Sequence, residues 1–372
     1  MNTIKTEQLI ARLIDRVSSD TTDESAESVI ASSAIFTDLE RFKKEREILF
    51  LNTPQVIGYA GEVAQPDSYL TAECMGIPIV VTRDSDGVLR AFINACGHRG
   101  AKVAEGCGNK KRLTCGFHGW SYALDGSLVG RPKDDCFASD RSQCGLRALP
   151  VSDKSGLIVV GLRSDISQQV VDHALDDIAE EFSGFDFDKL HTLETRRYEV
   201  AANWKLVVSL SHEGYHFANL HRDSLAPMMT SHGVVDEFGL HTRWAFALKG
   251  IEKLAEKERT LWPSRLPGAI NHTVYPGTLI VVNPGDSQII RVEPGAKPET
   301  SVVYFSGVCT DLDKREESMQ TYIFGGDIFA TEDLPAAVQC QQGLSASKKD
   351  FIIGKNEPVV QMWFKRWQEA LE

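Results

Sequence analysis

The chain is predicted to be α+β, with an all-β block set into a domain of antiparallel strands and helices. Three observations predict this. From about residue 55 to 163, short β-rich runs follow one another with turn signals between them. Amphipathic helical stretches precede that block. After 164, strands and helices are grouped rather than strictly alternating, which favours α+β over a parallel α/β sheet. A length of 372 residues suits two domains, placed at 52–163 for the β block and at 1–51 with 164–372 for the other.

Each element has its own local reason. Ile4, Leu9, Ile10, Leu13, Ile14 and Val17 recur at helical spacing and predict a helix over 4–17. The polar stretch 18–27 reads as a loop. Residues 38–50 read as a second helix with Asp38 at its start. Both helices are read as packing elements. In the β block, Ile79–Thr82 and Leu89–Asn94 flank a D-S-D-G turn, Leu124-Asp125-Gly126 marks a hairpin within Ser121–Val129, and Leu157–Leu162 is a further strand. Ser164–Phe182 is expected to be helical, capped by Asp165, with Val170, Val171, Ala174, Leu175 and Ile178 inward. Tyr198–Ala202 reads as a strand leading into Asn203-Trp204-Lys205, and 204–221 as a helix. Strands are expected at Arg243–Leu248, Thr278–Val282, Gln288–Val292 and Ser301–Val308. Helices are expected near 312–322, 331–344 and 357–371.

Composition narrows the function. Apolar residues make up 42% and charged residues 25%, as in ordinary globular proteins. A formal charge of −12 argues against nucleic acid as a partner, because phosphate binding needs a basic face. Eight cysteines without a dense, regular spacing do not form a secreted disulfide framework. The first twenty residues mix acids and bases into their apolar pattern, unlike a signal peptide. No apolar run is long enough for a membrane span. The expected location is cytoplasmic.

Two constellations carry chemistry. The first is Cys96-x-His98 and, after sixteen intervening residues, Cys115-x2-His118. Two thiolates and two imidazoles so close together are a metal-site pattern. The set suits structural zinc, and it also suits a [2Fe-2S] cluster in which two His replace two Cys on one iron. A zinc finger usually pairs Cys with Cys and His with His. Here each loop carries one of each, so matched loops can each give a thiolate to one iron and an imidazole to the other. Gly97, Gly100, Gly116 and Gly119 leave room for backbone N–H groups to approach the sulfurs. The second constellation is Ser211-His212-Glu213-Gly214-Tyr215-His216 with His221 five residues on. Glu213 and His216 share a helix face. His216 and His221 splay apart on an ideal helix, so convergence on one metal requires the helix to bulge or end between them. A mononuclear non-haem iron takes two His and one carboxylate, and a redox cluster upstream needs such an electron acceptor.

The motif Cys96-x-His98-Arg99-Gly100-Ala101 with Cys115-x2-His118-Gly119-Trp120 resembles the Rieske motif. Asn203-Trp204-Lys205, followed by Glu213-x-Tyr215-His216-x4-His221, looks like the catalytic iron motif of Rieske non-haem iron oxygenase α subunits. The resemblance runs from about Phe36 to Phe364 and includes Gly354-Lys355-Asn356-Glu357-Pro358. It implies an all-β Rieske [2Fe-2S] domain held at Cys96, His98, Cys115 and His118. It implies a helix-grip catalytic domain with mononuclear Fe(II) on His216 and His221. Asp333 of Thr331-Glu332-Asp333 is the third ligand it implies, with Glu332 and Asp327 as alternatives. Glu213 corresponds to the acid that bridges the two centres between subunits. Asn203 and Tyr215 are candidates either to support these ligands or to pack. The family implies a terminal oxygenase in a head-to-tail homotrimer, fed by a ferredoxin or flavin reductase drawing on NAD(P)H. Its expected reaction is hydroxylation, dihydroxylation or oxidative demethylation of a small aromatic or cyclic molecule. Alternatives are a carnitine- or choline-like quaternary-amine monooxygenase, an electron carrier without catalytic iron, and a zinc-stabilised module. Two departures are visible. Many relatives carry another residue where Gly97 stands, so a more mobile first loop is expected, and Val208–His212 replaces an acid–amide pair, leaving His212 as an extra imidazole expected at a helix surface or facing a partner.

Overall fold

The structure, a computed structural model, describes residues 3–283, 287–309 and 311–372. These form two compact units, Met1–Leu49 with Thr192–Glu372, and Phe50–His191. The second unit therefore extends past the edge expected at 163. Residues 164–191 fold back onto it: the Phe187 ring lies 5.8 Å from that of Tyr59, and Gly61 abuts the Leu190 backbone so closely that no Cβ fits.

Among the described residues, the discontinuous unit has a small two-stranded antiparallel sheet, pairing Val29–Ala31 with Phe351–Ile353, and is built on a seven-stranded one. Its strands are β1 (His191–Val200), β2 (Met229–Phe238), β3 (His241–Leu248), β4 (Gly268–Val274), β5 (Thr278–Val282), β6 (Ser287–Pro294) and β7 (Ser301–Cys309). They lie in the order β1-β7-β6-β5-β4-β3-β2, a meander from β2 to β7 with β1 added beside β7. Trp244, Asn271, Val281 and Gln288 stand opposite one another on four successive strands. Side chains in such a row share one face of the sheet.

Strands β2 and β4 are additions to the predicted set. All seven residues of β4 are buried, so its sequence GAINHTV shows no alternation of apolar and polar. The ladder of β2 shifts register between Met229 and Gly233. At Gly233 the Trp244 indole leaves no room for a Cβ.

The helices of this unit are α1 (Thr3–Ser18), α2 (Leu39–Glu45), α3 (Trp204–Ser209), α4 (Arg315–Ile328), α5 (Leu334–Ser347) and α6 (Pro358–Glu369). Helix α1 buries Leu9, Ile10 and Leu13; the Ile4 side chain lies outside the described set. Asp38 caps α2, accepting the Arg41 N–H at 2.6 Å. Helix α3 is much shorter than the 204–221 span expected. Ser211, Gly214 and Asn219 are poor helix formers, and the Glu213 carboxylate takes the N–H groups of Tyr215 and His216. Those bonds compete with helical ones. Lys205 ties α3 to α2: its Nζ lies 2.8 and 2.6 Å from the two Glu45 carboxylate oxygens, with both side chains wholly buried. The Trp363 and Trp367 indoles of α6 donate to the Thr242 hydroxyl and the Pro276 carbonyl, each at 2.9 Å.

The continuous unit contains three small antiparallel sheets. One runs Ala148–Leu149, Leu89–Ile93, Ile77–Arg83, Ser68–Cys74, Cys107–Asn109; another runs Val151–Ser152, Leu157–Val160, Gln55–Tyr59. The third, Arg112–Thr114, Ser121–Ala123, Leu128–Gly130, contains the expected hairpin. The helix expected over 164–182 is broken into Gln168–Asp172 and Ala179–Phe182, and Ser167 rather than Asp165 provides the first cap.

Candidate metal centres

The two Cys/His loops are the same turn built twice. Gly100 N–H donates to the Cys96 carbonyl at 2.8 Å, and Gly119 N–H to that of Cys115 at 3.0 Å. Each turn closes with its Cys N–H donating at 2.8 Å, to Ala101 and to Trp120. Gly100 and Gly119 have φ of 77° and 75°, which a side chain resists. Asn94 anchors the first loop, donating to the Ala104 carbonyl and accepting the N–H groups of Val103 and Ala104. The expectation that Gly97 loosens this loop is corrected. A Cβ there would stand 2.6 Å from the Cys144 carbonyl oxygen, so glycine is what lets the loop pack.

These loops carry the four predicted donors. Cys96 and Cys115 are buried free thiols, and the His98 and His118 rings lie 4.6 Å apart. His98 stacks on Trp120 at 5.0 Å, and its Nδ1 is buried without a hydrogen-bond partner among the described residues. Burial, together with the charges of His118 and Arg99, keeps His98 below the ordinary imidazole pKa, and neutral imidazole is the ligating form. An orphaned ring nitrogen on loops that also bear two buried thiols suits a metal ligand better than a packed core. Tyr122 is a partner that sequence reasoning missed. Its hydroxyl accepts the Gly97 N–H at 2.8 Å and lies 3.1 Å from the Cys96 sulfur. A thiolate has no proton to give, so toward a ligating Cys96 the hydroxyl donates.

In the other unit, His216 Nε2 and His221 Nε2 lie 3.8 and 3.3 Å from Asp333 Oδ1. One ligand atom from each of the three falls within 4.8 Å of the others. Ligands on one face of an ion with bonds of about 2.1 Å stand on the order of 3 Å apart, so the set fits a single metal. The premature end of α3 is what allows this convergence. Asp333 is delivered by a π-helical turn, Phe329–Asp333, between α4 and α5. Such a turn adds a residue and re-aims the side chains around it.

The outward ring nitrogens are also held. Glu213 Oε1 contacts His216 Nδ1. Glu332 Oε2 lies 2.7 Å from His221 Nδ1 and accepts the Ser224 hydroxyl at 2.8 Å. Burial opposes a charge on His221, but hydrogen bonds with Asp333 and Glu332 outweigh it and raise its pKa. Glu332 thus supports a histidine. Asp327, the other alternative, is tied to Arg196 at 2.9 Å with its side chain 62% exposed.

The remaining candidates fall elsewhere. Asn203 caps α3, accepting the Lys205 N–H at 3.1 Å and donating to the carbonyls of Phe36 and Pro298. These bonds hold the chain entering α3. The Tyr215 side chain is exposed and does not pack in the core; its backbone N–H, given to Glu213, is its link to the His216 ring. His212 is buried, not at a surface: it stacks on Trp363 and its Nε2 lies 3.0 Å from the Thr273 hydroxyl.

A pocket of about 320 Å³ opens beside His216, His221 and Asp333. One wall is the sheet face bearing Trp244, Phe246 and Asn271. The other is Thr321, Phe324, Gly325 and Ile328, a stripe at helical spacing along α4, with Phe329 of the π-helical turn beyond it. Trp244 and Phe246 stack at 4.4 Å. Among the described residues, the lining contains no Lys or Arg.

Comparison with known proteins agrees with this geometry. Residues 187–372 match the ring hydroxylating alpha subunit (catalytic domain) family, and residues 53–150 the Rieske [2Fe-2S] domain. A carnitine monooxygenase oxygenase subunit of Acinetobacter pittii is 28% identical over 319 residues, 84% of each chain. The anthranilate 1,2-dioxygenase large subunit of Acinetobacter baylyi is 32% identical over 198 residues, 50% of this chain and 41% of that one. The fold is shared with a quaternary ammonium Rieske monooxygenase solved with L-carnitine, at a TM-score of 0.78 and 22% identity over 98% of this chain and 99% of that one. Another structure of such an enzyme is described as giving insight into inter-subunit electron transfer. No described helix is long and apolar enough to cross a membrane. The chain belongs to the ring-hydroxylating oxygenase α-subunit family: it is a Rieske-type oxygenase subunit, with a [2Fe-2S] cluster and a mononuclear iron as its cofactors.

Proposed function

We propose that Cys96, His98, Cys115 and His118 hold the cluster, that His216, His221 and Asp333 hold the iron, and that the enzyme oxygenates a small, uncharged, ring-bearing molecule. The observation that carries this reading is the convergence of three donor atoms at the wall of a largely apolar pocket. When bound, the cluster supplies single electrons and the iron supplies a site for dioxygen activation. The protein's own part is positioning. Glu213 and Glu332 fix the ring orientations of His216 and His221, as acids behind metal-bound histidines do. Trp244, Phe246 and Phe329 exclude water and seat an apolar ring.

The subunit takes its electrons from a ferredoxin or flavin reductase that oxidises NAD(P)H, and it works as a head-to-tail homotrimer. In that assembly Glu213 links His216 to a cluster histidine of the neighbouring subunit. These statements rest on the family resemblance.

A second reading has its own support. The relatives matched over 84% of the chain are carnitine monooxygenase subunits, and the Trp244–Phe246 wall could face a quaternary ammonium. The deciding experiment supplies a surrogate reductase, NADH and labelled dioxygen. Its substrates are a panel of neutral rings together with L-carnitine and γ-butyrobetaine. Label incorporated into a ring substrate is the expected result. Label found only in products of the quaternary amines would replace the first reading with the second.

A further inference from the structure

His98 is packed by two aromatic rings. Trp120 stacks on it with centroids 5.0 Å apart and planes 9° apart, and Phe137 meets it edge-on at 5.6 Å. The two rings also touch each other, at 5.3 Å. Trp120 shares one apolar core with Cys96 and Cys115, and Phe137 packs against that core. A single cation lies over both rings: the Arg131 guanidinium carbon is 5.5 Å from the Trp120 centroid and 5.1 Å from that of Phe137. The Arg131 side chain is only 4% exposed. Its fork donates to the Ser139 carbonyl and hydroxyl at 3.0 and 3.1 Å and to the Asp134 carboxylate. Asp134 is 42% exposed and also pairs with Arg141 at 2.9 Å. Water and salt therefore screen Asp134 far more than Arg131.

We propose that Arg131 tunes the reduction potential of the cluster held at His98, its buried charge acting across Trp120 and Phe137 to favour the reduced state. This deepens the proposed function and rests on its reading of His98 as a cluster ligand. Reduction adds one electron, and so one negative charge, to the cluster. A cation in an apolar, weakly screened setting stabilises that form, and net charge is one of the quantities that set such potentials. Asp134 opposes the effect. The ion pair therefore offers a test of sign. Removing either partner breaks the same contact, yet the two changes alter the local charge in opposite directions.

The test is a mediated dithionite titration of the anaerobically purified holoenzyme, with the midpoint read from cluster absorbance and from the rhombic resonance signal. Arg131→Met is expected to lower the midpoint by about 59 mV, which is a tenfold smaller ratio of reduced to oxidised cluster at a fixed potential. Arg131→Lys keeps the charge and should shift less than Arg131→Met. Asp134→Asn should move the midpoint upward, and by less, because its carboxylate is partly exposed. Midpoints that move the same way in Arg131→Met and Asp134→Asn, or in neither, would overturn the assignment while leaving the cluster reading intact. Should Arg131→Met lose its cluster absorbance, Asp134→Asn decides alone: an upward shift supports the assignment, and a downward shift or none overturns it. A wild type with neither sulfide nor rhombic signal would sink both the assignment and the reading beneath it.

Discussion

Glu332 stayed an alternative to Asp333 and His212 was placed at a surface for the same reason: a side chain's chemistry is visible in sequence but its direction is not. Glu332 is one residue from Asp333, and either carboxylate could serve a metal. The π-helical turn decides, sending Asp333 toward both imidazole Nε2 atoms and Glu332 to the back of His221. Replacing Glu332 with Gln keeps the shape but removes the charge behind the ring. Loss of such a partner typically weakens metal affinity by about 10- to 100-fold. Iron retained during chelator titration should fall accordingly in Glu332→Gln, with cluster absorbance unchanged. His212 offers a pH test. Complete burial, with the Arg366 charge adding, pushes its pKa down to about 3 from an ordinary 6.5. Between those values the unfolded chain binds a proton that the folded chain refuses, so stability is lost as pH falls below 6.5. The slope approaches about 1.4 kcal/mol per pH unit. Melting temperatures of wild type and His212→Gln between pH 7 and 5.5 should diverge, with the wild type falling more steeply; parallel curves would contradict the burial argument.

At the scale of elements, what was legible followed periodicity. Helix α1, strands β3 and β5–β7 and the Leu124-Asp125-Gly126 hairpin all carry clean spacing, and all are present. Strand β4 was missed because burial on both faces erases alternation, and α3 was overextended because a helical pattern does not reveal where side-chain acceptors capture the backbone. Both errors fall at the site. Strand β4 carries Asn271, and the chain beyond α3 carries the histidines. The α2–α3 junction depends on the buried Lys205–Glu45 pair, to which the Trp204 indole adds a bond at 3.0 Å. Removing Lys205 leaves Glu45 held by Arg41 Nε at 2.8 Å, so the loss is bounded by that of a fully uncompensated buried charge, about 3–5 kcal/mol. Lys205→Met should therefore melt markedly lower than wild type, and the double variant Lys205→Met/Glu45→Leu should recover part of the loss. Equal melting of the single variant and wild type would show that the pair does not anchor the junction.

At the scale of the whole molecule, the candidate metal donors were legible and the α4 wall of the pocket was not. Cys96, His98, Cys115, His118, His216 and His221 stand in short motifs whose spacing is itself the signal. The pocket's walls come from β3 to β7 and α4, and no local pattern joins such distant stretches. The central claim is that two iron centres are held by seven side chains in two separate units. Metal analysis of anaerobically purified wild type and Asp333→Ala, read with electron resonance after dithionite, tests it most directly. Expected are about three irons and about two sulfides per wild-type chain, and about two of each in the variant, with the rhombic cluster signal kept and oxygenation gone. A wild type without sulfide, or a variant that still holds its third iron and turns over, would contradict it.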